Sequence, residues 1–225
     1  MNVIDNYRAL ISDIGDTVRK AGRDPSEVNL VAVTKGFSLE HVLPAYEAGA
    51  RGFGENRVQE ALPKIEKAPK DIEWHLIGTL QKNKVRKVIG KFSLIHSVDS
   101  LELAQKISET SLVCNTVTSV LLQANTSGEQ SKHGLQSEEW IANWDSLLEL
   151  EGIDLQGLMT IAPFVDDEKV IRGCFRALRQ LRDRLQAMAG NKCTLKHLSM
   201  GMSHDYHLAI DEGATQLRIG SAIFH

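Results

Sequence analysis

The stretch Leu30-Val31-Ala32-Val33-Thr34-Lys35 ends an apolar run on an amine, just before the turn Gly36-Phe37-Ser38. A lysine left partly buried in such a place lowers stability unless it is paired, neutral or covalently used. A lysine amine attacks a carbonyl only when neutral. Its reference pKa is about 10.4, and burial at a site mouth or a nearby cation can lower that by up to ~3–5 units. Two further stretches have the makings of an anion site. In Ser199-Met200-Gly201-Met202-Ser203-His204-Asp205, Gly201 would let backbone amides approach an anion, and the start of the following helix would add unpaired N–H groups. In Arg218-Ile219-Gly220-Ser221, the arginine supplies a fixed charge, Gly220 a close approach and Ser221 a hydroxyl. A neutral lysine beside a phosphate site suits a Schiff base to a phosphate-bearing aldehyde, of which pyridoxal phosphate is the leading example. Plainer roles stand beside these. Lys35 could simply pair with a carboxylate, Ser203 could be only a helix N-cap, and Gly220 only a turn residue.

These residues need a scaffold, and the hydrophobic pattern describes one. Residues 3–18 carry Val3, Tyr7, Leu10, Ile11, Ile14 and Val18 at helical spacing, and Gly22 and Pro25 end that helix. Eight short apolar segments follow, read as strands at 29–35, 52–54, 73–78, 92–98, 120–125, 155–161, 195–200 and 216–220. Each gap is read as holding one helical stretch, the clearest at 168–188. Ser38 is placed to cap the first of them. Strands alternating with helices imply a parallel sheet, and eight is the number that closes a TIM barrel. An open doubly wound sheet would carry a glycine-rich loop after its first strand. Thr34-Lys35-Gly36-Phe37 has a single glycine. The expected fold class is therefore α/β, a single TIM (β/α)8 barrel with an extra N-terminal helix, forming one domain over residues 1–225. In such a barrel the working residues lie at the C-terminal strand ends. Here those ends carry Lys35, Asn56, His75, His96, Thr160, Ser199–Ser203, Arg218, Gly220 and Ser221. Loops seven and eight are where barrels commonly hold phosphate.

The bulk numbers narrow the classes. At 42% hydrophobic and 24% charged, the 225-residue chain reads as an ordinary soluble protein. A net charge of −3 gives no reason to expect nucleic acid or an anionic membrane as partner. No apolar run approaches the ~20 residues of a membrane span, and the acids within the N-terminal pattern are unlike a secretory signal. The three cysteines, Cys114, Cys174 and Cys193, fit no zinc or redox spacing and read as unbridged thiols in a reducing cytoplasm. Asn125-Thr126-Ser127 matches a glycosylation sequon but reads as a turn. A metal-dependent barrel hydrolase could draw on His75, His96, His204 and His207. Against it, the first strand has no His-x-His pair and the mouth is short of carboxylates, with Asp99 and Asp205 read as caps or helix-start charges. The basic run Gln81–Lys87 reads as the solvated face of a helix.

Val31–Lys35, Phe53–Glu60, Trp74–Lys84, His96–Ser100, Gly157–Ile161 and Ser199–Phe224 together resemble the pyridoxal-phosphate homeostasis proteins. That family in turn resembles the barrel half of alanine racemase and of eukaryotic ornithine decarboxylase, the type III fold of pyridoxal-phosphate proteins. The resemblance covers nearly the whole chain. It implies that pyridoxal 5'-phosphate (PLP) is the cofactor and that Lys35 is its Schiff-base lysine. Ser199, Gly201, Met202, Ser203, Arg218, Gly220 and Ser221 would surround phosphate and ring, with Asn56 and His75 at the matching mouth positions. Arg218 would hold either the phosphate or the ring nitrogen. It further implies a role in vitamin B6 and amino-acid or keto-acid homeostasis without established catalysis, so no catalytic residue and no metal ligand is expected. Racemisation needs a second proton-transferring group, which two-domain relatives take from a β-domain. This chain is expected to end with its eighth βα unit and to lack that domain. The chain is expected to be a cytoplasmic monomer that binds neither nucleic acid nor membrane, with transient PLP-enzyme or regulatory partners unnamed. Weak PLP-dependent racemase activity is the enzymatic alternative.

Overall fold

The computed structural model describes residues 2–129 and 133–225. Helix α1 (Val3–Lys20) starts where the Asn2 side chain accepts the Asp5 amide, and it buries Tyr7, Leu10, Ile14 and Val18. Strands and helices then alternate as expected. They run β1 (Asn29–Val33), α2 (Leu39–Glu47), β2 (Gly52–Glu55), α3 (Val58–Lys67), β3 (Glu73–Leu76), α4 (Val85–Val88), β4 (Leu94–Val98) and α5 (Leu101–Val113). The second half runs β5 (Thr118–Gln123), α6 (Ser137–Ala142), α7 (Trp144–Leu148), β6 (Ile153–Met159), α8 (Glu168–Ala189), β7 (His197–Ser199), α9 (Tyr206–Asp211), β8 (Gln216–Ile219) and α10 (Ser221–Phe224). All eight strands are parallel, and β1 pairs with both β2 and β8, so the sheet closes.

Period-two alternation sorts the strand residues into two cores. Ala32, Phe53, Trp74, Leu76, Ile95, Leu122, Leu158, Leu198, Leu217 and Ile219 face outward and pack with the helices in one large cluster. The opposite face lines the barrel. Leu94, Leu121 and Met159 form a small apolar cluster of their own there. Val31 and Val33 share that inward register, and Lys35 lies two residues further along the chain, past the end of β1. The remaining inward positions are polar: His75, His96, Ser199 and Arg218 are all buried.

Two gaps depart from one helix each. Between β3 and β4 the polar stretch forms a 3-10 turn (Lys82–Lys84) and the four-residue α4. Only Val85 and Val88 of α4 are buried, too few apolar contacts to hold a longer helix. Between β5 and β6 the helix breaks at Asn143. Its Nδ2 donates to the Glu139 carbonyl at 2.8 Å, a local bond that competes with the helical ladder. The cap after β4 also differs. Ser100, rather than Asp99, accepts the first-turn amide, from Leu103 at 3.3 Å. The Ser38 cap of α2 is present, accepting from His41.

Helix α1 braces α9. The Tyr206 hydroxyl donates to Asp13 Oδ2, and Arg23 Nη1 donates to the Ile210 carbonyl at 3.0 Å. The segment following Ser199 is thus held from outside the barrel as well as by its strand.

Candidate functional site

At the C-terminal rim, β1 ends at Val33 and turns. The Phe37 N–H donates to the Thr34 carbonyl at 3.2 Å, and Gly36 has φ +80°. That left-handed position is open to glycine at no steric penalty and makes Lys35 the second residue of the turn. Lys35 itself is exposed, and it makes no hydrogen bond or ion pair among the described residues. The burial expected of this amine is therefore not seen, nor is a carboxylate paired with it. A buried lysine paired with a carboxylate does exist, but it is Lys64 on α3. Its Nζ lies 2.6 Å from Glu55 Oε1.

The loops after β7 and β8 meet. Ser221 Oγ donates to Ser203 Oγ at 2.8 Å. Gly220 runs against β1, where a Cβ would come within 2.9 Å of the Val33 carbonyl. Gly201 has φ +94°, and a Cβ there would lie 2.7 Å from Ala209 Cβ on α9. Glycine is needed at this position for the packing of α9. The helix after Ser199 starts later than expected, at Tyr206 with Asp205 as N-cap. Ser203 is therefore not the cap, and its hydroxyl faces Ser221 instead. The Met202 amide is already taken, donating to Asp205 Oδ1 at 2.6 Å. Loop seven thus offers an anion hydroxyls more than amides. Asn56 is half-buried at the end of β2, and its backbone lies so close to Gly78 that a Cβ there would meet the Asn56 carbonyl at 2.2 Å.

Beneath this rim runs a buried polar chain. Arg218, 5% exposed, donates from Nη1 to Ser199 Oγ at 2.5 Å and from Nη2 to the Thr160 carbonyl at 2.8 Å. His96 Nδ1 is 2.8 Å from the same Ser199 hydroxyl, and His96 Nε2 is 2.9 Å from His75 Nδ1. Arginine can only donate, so Ser199 accepts from it and keeps its hydrogen and a second lone pair for its other contacts, His96 Nδ1 among them. His75 lies inside the barrel and is linked to Ser199 through His96. His96 was legible as a strand-end residue, but its link to Ser199 was not.

Burial holds both imidazoles neutral. His75 is pulled down to about 4, by desolvation first and by His197 second. His96 lies well below the ordinary histidine value, through desolvation and then through His75, Arg218 and His197. A stability effect follows. Below pH about 6.5 the unfolded chain takes up protons on these histidines that the folded chain refuses. Their contribution is therefore full above pH 6.5 and is lost as the pH falls toward 4. The expected loss from His75 alone is on the order of 3 kcal/mol. Urea unfolding of the wild type and of His75→Gln at pH 7 and pH 4.5 checks this, because carboxylates titrate equally in both. The variant should show the smaller fall.

Arg218 stays charged although burial lowers it to about 10, with Asp205 opposing the shift. Two of its five N–H groups are bonded, and no carboxylate lies within ion-pair distance among the described residues. The four histidines of the hydrolase reading are not brought together. His204 packs its ring on Phe164 and lies 3.3 Å from Asp205 Oδ2, and His207 lies 3.3 Å from Asp13. Among the described residues no group of three His, Cys, Asp or Glu side chains could hold a metal ion.

Comparison with known proteins places the chain in a family and matches its fold. The family model described as the N-terminal domain of alanine racemase matches residues 9–225. The pyridoxal phosphate homeostasis protein of Aquifex aeolicus is 40% identical over 225 residues, covering 100% of this chain and 98% of its own. PipY of Synechococcus elongatus, solved with PLP bound, is 34% identical and covers 100% of both chains, with a TM-score of 0.86. Alanine racemase of Clostridium difficile matches 97% of this chain and 56% of its own with a TM-score of 0.79. At 19% identity it shows the shared fold alone.

Proposed function

The chain belongs to the family of the alanine racemase N-terminal domain and, by its full-length relatives, to the pyridoxal phosphate homeostasis proteins; on that premise we propose that it binds PLP covalently through Lys35. It does so as one barrel domain over residues 1–225, a carrier or regulator in vitamin B6 and amino-acid or keto-acid homeostasis rather than an enzyme.

One observation carries this reading. Arg218 is a buried cation at the C-terminal end of β8 with unbonded N–H groups and, among the described residues, no carboxylate within ion-pair distance. A protein bears the desolvation of such a group where a ligand completes it. β8 and β1 are neighbours, with Arg218 beside Val31, and Lys35 follows the end of β1 in the turn after Val33. The hydroxyls of Ser203 and Ser221 and the tight backbone at Gly220 lie in the two loops between them. The depth of Arg218 divides the roles. Tied to Ser199 and the Thr160 carbonyl, it suits the ring nitrogen. The more exposed Ser203 and Ser221 suit the phosphate, which keeps part of its water. Asn56 and Met202 flank the ring, and Gly201 sets the course of loop seven. His75 acts through His96, holding Ser199 and hence Arg218.

When bound, PLP supplies an aldehyde that joins an amine and a pyridine ring that can draw off electrons. The chain tempers the second property. An arginine whose charge is fixed would donate to the ring nitrogen but give up no proton there, which would leave the nitrogen unprotonated. A racemase needs a second proton-transferring side chain on the opposite cofactor face. None of the three tyrosines of the sequence is placed for it. Tyr7 packs in the outer core, Tyr46 donates to Asp71, and Tyr206 donates to Asp13. The reading includes a cytoplasmic monomer without nucleic-acid or membrane partners; the net charge of −3 supports the lack of a polyanionic partner, and the unbridged cysteines support a reducing compartment.

The non-catalytic reading is tested by following α-proton exchange of D- and L-alanine in deuterated buffer with the PLP-loaded protein. Exchange no faster than with free PLP is expected. Exchange at roughly 1 s⁻¹ or more, the range of ordinary enzymes, would identify a racemase.

A further inference from the structure

The peptide from which Lys35 departs is gripped from behind by charges that belong to no part of the rim described above. Thr34 and Glu55 are fully buried at the ends of β1 and β2. The Thr34 N–H donates to the Gly54 carbonyl at 2.9 Å, and Thr34 Oγ1 donates to Glu55 Oε1 at 2.5 Å. Lys64, reaching in from α3 with a side chain only 11% exposed, donates to that same Oε1 at 2.6 Å and to the Thr34 carbonyl at 2.9 Å. The Thr34 carbonyl is also the oxygen that closes the Lys35 turn by accepting the Phe37 N–H. One backbone oxygen thus takes a turn amide and an ammonium, and the ammonium is anchored by a carboxylate bonded to the same threonine.

A buried ion pair is a poor source of stability, because desolvating both charges offsets most of their attraction. This pair is not even fully satisfied, since Glu55 Oε2 is buried without a hydrogen-bond partner. What the pair does secure is geometry. It fixes the plane of the Thr34–Lys35 peptide, while Lys35 itself is tied down by nothing.

We propose that Glu55 and Lys64 are positioning residues for Lys35, holding the root of its side chain so that the amine meets a bound aldehyde without first ordering its turn. This rests on the reading of Lys35 as the covalent residue. The step served is a condensation. The neutral amine attacks the aldehyde carbon and a C–N bond forms. Both nitrogen protons pass to the former carbonyl oxygen, which leaves as water, and a C=N bond remains. Nothing is oxidised or reduced. Pre-orienting the nucleophile removes part of the entropic barrier to that attack. It does nothing for ligands that only occupy the ring and phosphate contacts.

That difference supplies the test. Pyridoxamine 5'-phosphate shares ring and phosphate with PLP but carries an amine where the aldehyde would be, so it cannot join a lysine. The double variant Glu55→Gln/Lys64→Met removes both charges and leaves neither buried alone. Its rate of forming a borohydride-reducible adduct with PLP should fall about tenfold, while its Kd for pyridoxamine phosphate stays within about twofold of wild type. Lys64→Arg, which keeps a cation beside Glu55, should recover part of the rate. Should the double variant fail to fold, Thr34→Val decides, since it removes only the hydroxyl, with its bond to Glu55 and its longer one to the Gly54 carbonyl. It should slow adduct formation about threefold with pyridoxamine phosphate unaffected. An unchanged adduct rate overturns the proposal, as do equal losses for both ligands, which would mark the pair as merely structural. A wild type that forms no adduct at all refutes the Lys35 reading, and the proposal with it.

Discussion

Lys35→Ala should fold as the wild type does and lose the covalent cofactor completely. The side chain is exposed, with no hydrogen bond or ion pair among the described residues, so its removal should change the free energy of unfolding by no more than about 0.5 kcal/mol. Gly36 keeps the turn, and the Thr34 carbonyl keeps both of its donors. The consequence for the cofactor is different in kind. Without the amine no carbon–nitrogen bond can form, so the absorbance band of the lysine adduct and the mass gained after borohydride should both vanish. Arg218, Ser203 and Ser221 remain, so PLP should still be held non-covalently, at least about tenfold more weakly. Absorbance spectra, intact mass and urea unfolding of the same preparations measure all three. An adduct that survived would move the chemistry to another lysine.

Arg218→Met should separate binding from folding. Two effects on the free protein oppose each other. Losing the bonds to Ser199 Oγ and the Thr160 carbonyl is unfavourable by about 1.5–3 kcal/mol each, as for hydrogen bonds to charged groups. Removing a buried cation that no carboxylate partners is favourable. The fall of its pKa to about 10 from an ordinary 12.5 puts that relief on the order of 3 kcal/mol. Within the uncertainty of such magnitudes they offset, so the unloaded variant should be stable to within about 2 kcal/mol of wild type. The affinity for PLP has no such compensation. It loses a charge-assisted contact in a dry interior, about 2–3 kcal/mol, or roughly 30- to 150-fold in Kd. Equilibrium titration with PLP and, separately, unfolding without it give the two numbers. An unchanged affinity with a large loss of stability would make Arg218 a structural residue and leave the ring nitrogen without its donor.

The barrel was legible because its signal is repetitive. Each strand offers an apolar face to the helices, and eight recurrences tolerate errors of two residues at the ends. Those errors have a shared cause. The apolar run 120–125 marks where β5 is most buried, but pairing with β6 begins at Thr118 beside Ile153, where the backbone bonds start before the apolar run does. Helix breaks are local events that periodicity averages over. The Asn143 side chain cuts one stretch in two, and the sparse apolar content of residues 81–88 leaves another as little more than a turn.

The rim residues were legible as a set because the fold dictates where to look. What lies behind them was not. Lys64 sits on an amphipathic helix among other charged residues, where a lysine reads as solvent-facing, and nothing in the spacing shows it reaching across to Glu55. The histidine pair did leave a signal. Trp74-His75-Leu76 and Ile95-His96-Ser97 each place an imidazole on the inward face of neighbouring strands, with His75 opposite Leu94 and His96 the next inward residue of β4, and two buried polar residues so close must satisfy one another or water. The uncharged state expected for Lys35 was tied to burial, which the exposed turn does not provide.

The most direct measurement is to load the protein with PLP, reduce it with borohydride, digest it and map the added pyridoxyl mass by tandem mass spectrometry. The account predicts that the mass lies on Lys35, in the peptide that joins β1 to α2. Modification of Lys64 or any other lysine in its place, or no modified peptide at all, would contradict it.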